Sequence, residues 1–487
     1  MPFSRKFNWK IFLYILGKIT SFIGCCFIFP GIIALIYKES NPYVFFISAF
    51  ISLFLGLSLL YINKNHSSQL SKRDGRIVVG LIWFITPFIG AIPYFSYPQY
   101  FTIIDAFFES FSGFSTTGST IISNLEDIPR SLLLWRSITQ WIGGLGFILF
   151  IIVLMNNLRN GSNYLFNAEF TSLDKERVRP HIKSTVYRIF YIYFGLSFIS
   201  FIFLLFGDMD TFTAFCHSIG AVSTGGFSTV NGNIGEFSIY TQYVIMITMF
   251  LSGISYLLIY WLIKGKLKKV IEDEQFKSYS LLIFVSSLIL GITIYLSKGF
   301  GLEQTFRTTF FHIISVVSTT GYELANNQNF GAFAFILIIL LMFIGGCSSS
   351  SSTGLKIIRV VLLLRFSHIS LKRMFHPKAI IPVRYNGKTI RDESINLVFG
   401  FFFLYLLIFI VGAFTLTVLG NDFIPSLAMS VANLSNIGPV IGDGNTVMSY
   451  YNLNDESKII LMILMMAGRL EIYSFFALLS RSIWLKN

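Results

Sequence analysis

The sequence predicts an all-α membrane protein of ten transmembrane helices. Two stand at the N-terminus, and eight belong to four helix–re-entrant P-loop–helix repeats about a pseudo-fourfold axis. Three observations predict this. The 487 residues are 54% hydrophobic and only 13% charged, with mean hydropathy +0.68, whereas a soluble domain is about a quarter charged. Apolar runs of about 20 residues, enough to cross a bilayer, recur from end to end. Four short loops interrupt them at similar spacing: Ser115-Thr116-Thr117-Gly118, Val222-Ser223-Thr224-Gly225, Ser318-Thr319-Thr320-Gly321 and Ser435-Asn436-Ile437-Gly438.

The elements follow in order. Spans at 11–37 and 42–63 form a two-helix extension, residues 1–68. The basic N-terminus shows no small-residue cleavage site, so the first span is read as retained. Repeat one, 69–165, has an outer span at 77–98, a short helix at 103–114 and an inner span at 131–157. Repeat two, 166–270, uses 185–207, 210–221 and 238–264. Repeat three, 271–380, uses 276–298, 304–317 and 331–365, and repeat four, 381–487, uses 394–419, 423–434 and 457–484. The loop glycines lie 107, 96 and 117 residues apart.

Charge sets the topology. A formal charge of +13 would suit nucleic acid, but its placement argues otherwise. Lys and Arg gather in alternate loops, as at Lys72, Arg73 and Arg76, or Lys264, Lys266, Lys268 and Lys269. The intervening loops carry Glu126, Asp127, Asp208, Asp443 and Asp455. This positive-inside pattern puts both termini in the cytoplasm and the four loops toward the outside. The cysteines Cys25, Cys26, Cys216 and Cys347 fall in apolar sequence and follow no metal or disulfide spacing.

Irregular backbone at membrane depth survives only where it lines a water-filled path or is buried in protein. A ring of backbone carbonyls is how a membrane protein replaces the hydration shell of a monovalent cation. Glycine permits the dihedrals that turn carbonyls inward, and Ser and Thr hydroxyls hold neighbouring backbone. Each short helix would point its C-terminal partial negative charge at the loop, which favours a cation there. Asp105, Glu109, Asp210 and Asp422 either add negative potential at the mouth or solvate exposed helix starts. His217 and His312 lie on the short helices, in pH sensing or in packing. Gly143-Gly144-Leu145-Gly146 has neither the preceding strand nor the following acid of a nucleotide loop and reads as close helix packing.

These residues resemble the Trk/Ktr/HKT superfamily of potassium transporters, and the two extra spans resemble its TrkH-type membrane subunit. The motifs are Gly113-Phe114-Ser115-Thr116-Thr117-Gly118, Trp135-Arg136-Ser137 through Gln140-Trp141-Ile142-Gly143-Gly144-Leu145-Gly146, Ser223-Thr224-Gly225-Gly226-Phe227, Asn436-Ile437-Gly438-Pro439 and Gly468-Arg469-Leu470-Glu471. The resemblance implies a pseudo-fourfold pore whose selectivity filter is the four loops. It places K+, the transported ion, at Thr116, Thr117, Ser223, Thr224, Thr319, Thr320, Asn436 and Ile437, with no organic cofactor. In the plant branch, serine at the first filter glycine goes with sodium preference. Gly118, Gly225, Gly321 and Gly438 therefore imply K+ over Na+.

A second constellation, Gly345-Gly346-Cys347-Ser348-Ser349-Ser350-Ser351-Ser352-Thr353-Gly354, falls inside the third inner span. By resemblance it is an intramembrane gate below the filter. The relatives' stretch is richer in glycine, and the five serines depart from it. The alternative is a Ser-rich linker, which belongs outside a bilayer. Charges inside spans are costly and mark function. Arg469 would, by resemblance, hold the gate's carbonyls; otherwise it snorkels or pairs with Glu471. Arg136 serves either the pore or the membrane interface.

The reading is therefore K+ uptake across a bacterial inner (plasma) membrane, without covalent chemistry and so without enzyme activity. The resemblance also implies a homodimer and a cytoplasmic nucleotide-binding regulatory subunit, TrkA-like. The basic loops suit that subunit or anionic lipid. The alternative is a K+ symporter coupled to H+ or Na+ by alternating access, which calls for inverted repeats and deep carboxylates.

Overall fold

The structure is a computed structural model. It describes residues 7–65, 72–146, 182–232, 234–324, 331–379, 381–438 and 450–480. The lower half of the expected inner span 131–157, both chain ends and Pro439 lie outside the described residues.

The described residues are overwhelmingly helical. Helices α1 (Trp9–Ile36) and α2 (Val44–Ile62) form an antiparallel pair. Then α3 (Lys72–Gly90), α4 (Ile103–Ser115) and α5 (Arg130–Leu145) follow. The next group is α6 (Ile182–Leu205), α7 (Thr211–Ser223), α8 (Ile239–Gly253) and α9 (Tyr256–Ile263). After the short α10 (Leu267–Ile271) come α11 (Glu274–Lys298), α12 (Leu302–Val317), α13 (Gly331–Met342) and α14 (Ile357–Phe375). The last group is α15 (Asp392–Val418), α16 (Phe423–Leu434), α17 (Asp455–Arg469) and α18 (Glu471–Leu479).

Six helices are long and apolar enough to cross a membrane, and two bent pairs raise this to eight among the described residues. This is a multi-pass helical membrane protein; of the ten spans expected, the described residues show up to eight, and the first inner span is described only to Gly146. The difference sits in the inner spans. Between α8 and α9 the chain bends by 107°, and between α17 and α18 by 118°. The third inner span is two helices, α13 and α14, separated by the Ser-rich stretch. A break inside a bilayer frees backbone groups that need new partners, and here the partners are visible. Gly253 O accepts from Cys347 N (2.9 Å), and Tyr256 N donates to Ser349 O (3.0 Å). The breaks and the Ser-rich loop satisfy one another.

The four half-helices α4, α7, α12 and α16 sit inside a shell of longer helices. Their buried faces merge into one apolar core containing Phe108, Phe114, Ala221, Val222, Val317 and Ala432. The lipid-facing sides of α2, α6, α11 and α15 expose Phe54, Phe198, Leu288 and Phe414. That polarity, apolar outward as well as inward, is what a bilayer solvent requires.

Candidate functional site: a ring of four loops and the plug beneath it

Two of the half-helices, α4 and α7, start on a side-chain cap. Thr102 and Asp105 form a reciprocal capping box on α4 (3.2 and 3.1 Å). The Asp210 carboxylate accepts from Phe212 N at the start of α7 (3.3 Å).

All four half-helices end alike. In α4, Thr116 N donates to Gly113 O and Thr117 N to Ser112 O (3.0 and 2.9 Å). The same pair recurs as Thr224 to Ala221 with Gly225 to Gly220, Thr319 to Val316 with Thr320 to Ser315, and Asn436 to Asn433 with Ile437 to Ala432. This is the Schellman arrangement, with a left-handed residue just past the helix. That residue is usually glycine; here it is Thr116, Thr224, Thr319 and Asn436, with φ of 60°, 54°, 60° and 54°. Left-handed backbone costs an L-residue about 1–2 kcal/mol. Such strain, repeated four times, is the mark of a functional constraint.

Two residues later a glycine takes positive φ: Gly118 (83°), Gly226 (78°), Gly321 (80°) and Gly438 (88°). This corrects the sequence register of the second loop. Its equivalent segment is Ser223-Thr224-Gly225-Gly226, so Gly226, not Gly225, matches the other three glycines. Val222 falls back into α7. The residues equivalent to Thr116 and Thr117 are Thr224 and Gly225, not Ser223 and Thr224. The shared pattern Ser-x-x-Gly held the correct alignment, but the Ser-Thr-Gly tripeptide masked it.

The loops abut in order. A Cβ on Gly118 would stand 2.2 Å from Gly225 O, one on Gly226 2.0 Å from Thr320 O, and one on Gly438 2.2 Å from Thr117 O. Gly118, Gly226 and Gly438 thus each lie against a carbonyl of a neighbouring loop. Asn436 Nδ2 also donates to Thr117 Oγ1 (2.8 Å), tying the irregular fourth loop to the first. Ser115, Thr116, Thr117, Ser223, Thr224, Ser318, Thr319, Thr320, Ser435, Asn436 and Ile437 are all buried.

Residues behind the ring fix its carbonyls. Gln140 spans the second loop, donating to Gly225 O (2.6 Å) and accepting from Phe227 N (3.2 Å). Tyr450 Oη donates to Gly438 O (2.6 Å). Tyr322 Oη donates to Phe227 O (3.1 Å). Gln140 stands in a motif of the sequence without a role assigned to it, and Tyr322 and Tyr450 carry no signal there. His217 is buried between Thr213 O (2.9 Å) and Ser228 Oγ (3.2 Å), a packing arrangement.

The acids expected at the mouth are partly neutralised. Glu109 is fully buried, 3.3 Å from Arg136 Nε, and accepts from Ile121 N (2.9 Å) and Thr120 Oγ1. Arg136 also donates to Ser228 O (3.3 Å) and lies over the Phe227 ring, 3.9 Å from its centroid. This pair braces the chain leaving loops one and two, so Arg136 is no interfacial anchor. Asp105 pairs with Lys458 Nζ at 2.7 Å.

The Ser-rich stretch is a buried plug, not a linker. Its neck is a two-rung parallel bridge, Ile344 with Leu355 and Gly345 with Lys356 (β1 and β2). Its tip reaches the ring. Ser351 Oγ donates to Val222 O (2.8 Å), Thr353 Oγ1 to Ser435 O (2.5 Å), and Thr353 N to Thr319 Oγ1 (3.0 Å). Ser348 N and Oγ donate to Gln275 Oε1 (2.9 and 3.0 Å). From the other side, Arg469 donates to Ser351 O (3.3 Å) and to Gly143 O, and Lys356 Nζ to Ser352 O. Glu471, a partner considered for Arg469, pairs with Arg359 (2.7 Å). A cavity of about 100 Å³ lies beside the plug, lined by Gly144, Tyr256, Lys356, Tyr405 and Arg469.

Apolar helices and four half-helices whose buried terminal loops meet backbone to backbone fit a multi-pass membrane transport protein. The TrkH family, described as cation transport protein, matches residues 42–486. The chain is 32% identical to the Trk system potassium uptake protein TrkH of Escherichia coli K12 over 475 residues, 96% of this chain and 98% of that protein. It is 33% identical to the TrkH of Salmonella typhimurium over 479 residues, again 96% and 98%. The crystal structure of the potassium transporter TrkH from Vibrio parahaemolyticus is similar throughout, with TM-score 0.89 and 27% identity over 98% of this chain and 100% of that one. The chain belongs to the TrkH family. It is a transport protein and not an enzyme.

Proposed function

We propose that this chain takes up K+ across a bacterial inner membrane through a carbonyl-lined filter with an intramembrane gate. The filter is Ser115–Gly118, Ser223–Gly226, Ser318–Gly321 and Ser435–Gly438. K+ sheds water at the outer mouth and exchanges it for loop carbonyls and hydroxyls. The gate is Gly345–Gly354 with Arg469 as its latch. The observation that carries the reading is the abutment of Gly118, Gly226 and Gly438 on a neighbouring loop's carbonyl, which supports a shared lumen. The names of the relatives support K+ as the ion. The layout we propose keeps the two-helix extension 1–68 and repeats 69–165, 166–270, 271–380 and 381–487. Both termini are cytoplasmic, the working unit is a homodimer, and a nucleotide-binding regulatory subunit docks on the basic inner face.

Growth rescue tests this. A K+-uptake-deficient bacterium expressing the chain should grow at low K+. The Gly118→Ser variant should lose rescue or admit Na+, because its Cβ meets Gly225 O at 2.2 Å. No rescue by the parent chain, with or without a co-expressed regulatory subunit, overturns the reading.

A further inference from the structure

We propose that the inner end of the ring is a cation site that the plug fills with its own hydroxyls, so that plug docking and K+ occupancy exclude one another. This rests on the filter reading above and deepens it.

The half-helix ends supply carbonyls that the helices themselves cannot pair. The last four carbonyls of a helix have no partner within it, and buried carbonyls need one. Val222 O and Ser435 O stand at the C-terminal ends of α7 and α16. Thr319 supplies a hydroxyl at the left-handed position of loop three. Carbonyl and hydroxyl oxygens at helix C-terminal ends are the donor set that suits a dehydrated monovalent cation, and two of these three, Ser435 O and Thr319 Oγ1, are within reach of one residue, Thr353.

In this structure those oxygens are taken. Ser351 Oγ is 2.8 Å from Val222 O, Thr353 Oγ1 2.5 Å from Ser435 O, and Thr353 N 3.0 Å from Thr319 Oγ1. Each contact presents a polar hydrogen, a partial positive charge, where a cation would sit. Behind them, the outward carbonyls of the same tip are held by full charges: Ser351 O by Arg469 and Ser352 O by Lys356. The plug therefore imitates an ion on one side and is charge-latched on the other. Lys356, only 8% exposed, joins Arg469 in that latch.

Withdrawing the tip strips Val222 O, Ser435 O and Thr319 Oγ1 of their donors in an interior that punishes unpaired polar groups. K+ restores their coordination. Linkage then requires that K+ favour release of the plug, and that loosening the plug tighten K+ binding.

Cys347, fully buried in the plug, reports the release. The full-length protein in liposomes is alkylated from the plug side in K+ or in N-methylglucamine, and modification of the Cys347 peptide is timed by mass spectrometry. The rate should rise with K+. Thr353→Val keeps the shape but removes the hydroxyl donor. It should raise the rate without K+ about threefold to tenfold, the weight of one hydrogen bond, and lower the half-saturating K+ similarly. Ser351→Ala, acting at Val222 O, should do the same and serves if Thr353→Val does not fold. Equal rates in both cations, or no change in the variants, overturn the inference. K+ flux is measured in the same liposomes. Flux with K+-independent labelling sinks this inference alone, whereas absence of flux in the parent sinks the filter reading.

Discussion

Replacing Gly226 by alanine should open the ring between loops two and three. Two costs can be read from the geometry. The backbone there has φ of 78°, which charges an L-residue about 1–2 kcal/mol. The new methyl would stand 2.0 Å from Thr320 O, against about 3.4 Å for ordinary contact. The obstacle is backbone, held by Thr320 N donating to Ser315 O (2.9 Å), so it cannot swing aside. Overpacking of this kind adds about 1–3 kcal/mol, for a total of about 2–5 kcal/mol. Relief requires the two loops to part by more than an ångström, enough to remove a carbonyl from a shared coordination shell. Rubidium uptake into liposomes, with and without competing Na+, should show lost transport or lost discrimination. Thermal unfolding in detergent should fall in parallel. A Gly226→Ala protein that transports K+ and excludes Na+ as the parent does would refute the register and the ring argument with it.

Other outcomes follow from the same structure. Glu109→Gln leaves Arg136 buried without its counter-charge, which should cost about 3–5 kcal/mol; a thermal midpoint equal to the parent's would show that the pair braces nothing. Arg469→Ala removes one latch from the plug and should raise K+ leak through liposomes lacking any partner subunit; an unchanged leak removes Arg469 from the gate. Burial pushes the Asp208 carboxyl up, but hydrogen bonds from Thr241 and Ser238 outweigh it and hold the group below the usual carboxylate range. Its stabilising contribution is therefore present above the unfolded-state value and is lost as pH falls through the lower folded value. Asp208→Asn should abolish that part of the acid dependence of unfolding, which a pH series of melts would read.

Much of the architecture is legible in composition and spacing. The short helices expected at 103–114, 210–221, 304–317 and 423–434 are α4, α7, α12 and α16, within two residues at each end. Apolar periodicity between polar caps is local information. The failures are non-local. At Gly225 and Gly226 two local patterns compete, Ser-Thr-Gly and Ser-x-x-Gly, and only the contact of Gly226 with Thr320 O decides between them. Asp105 and Lys458 lie 353 residues apart, so the acid reads as free. The inner spans read as continuous because Gly253, Ile254 and Leu470 are unremarkable in an apolar run. The plug's hydrogen bonds with Gly253 O and Tyr256 N explain the break between α8 and α9. Arg136 stays undecided between pore and interface in the sequence because its partners, Glu109 on α4 and Phe227 after loop two, are distant along the chain.

The parallel bridge at the neck of the Ser-rich stretch has a mechanical corollary. Ile344 pairs with Leu355 and Gly345 with Lys356, so the two ends of the excursion are stapled together. A segment clasped in this way swings as a trapdoor about its hinge instead of unspooling. Neither α13 nor α14 has to slide lengthwise or surrender a turn. If the stretch gates as proposed, the surrounding scaffold can stay still while the clasped loop swings, and the passage would be unblocked without being widened.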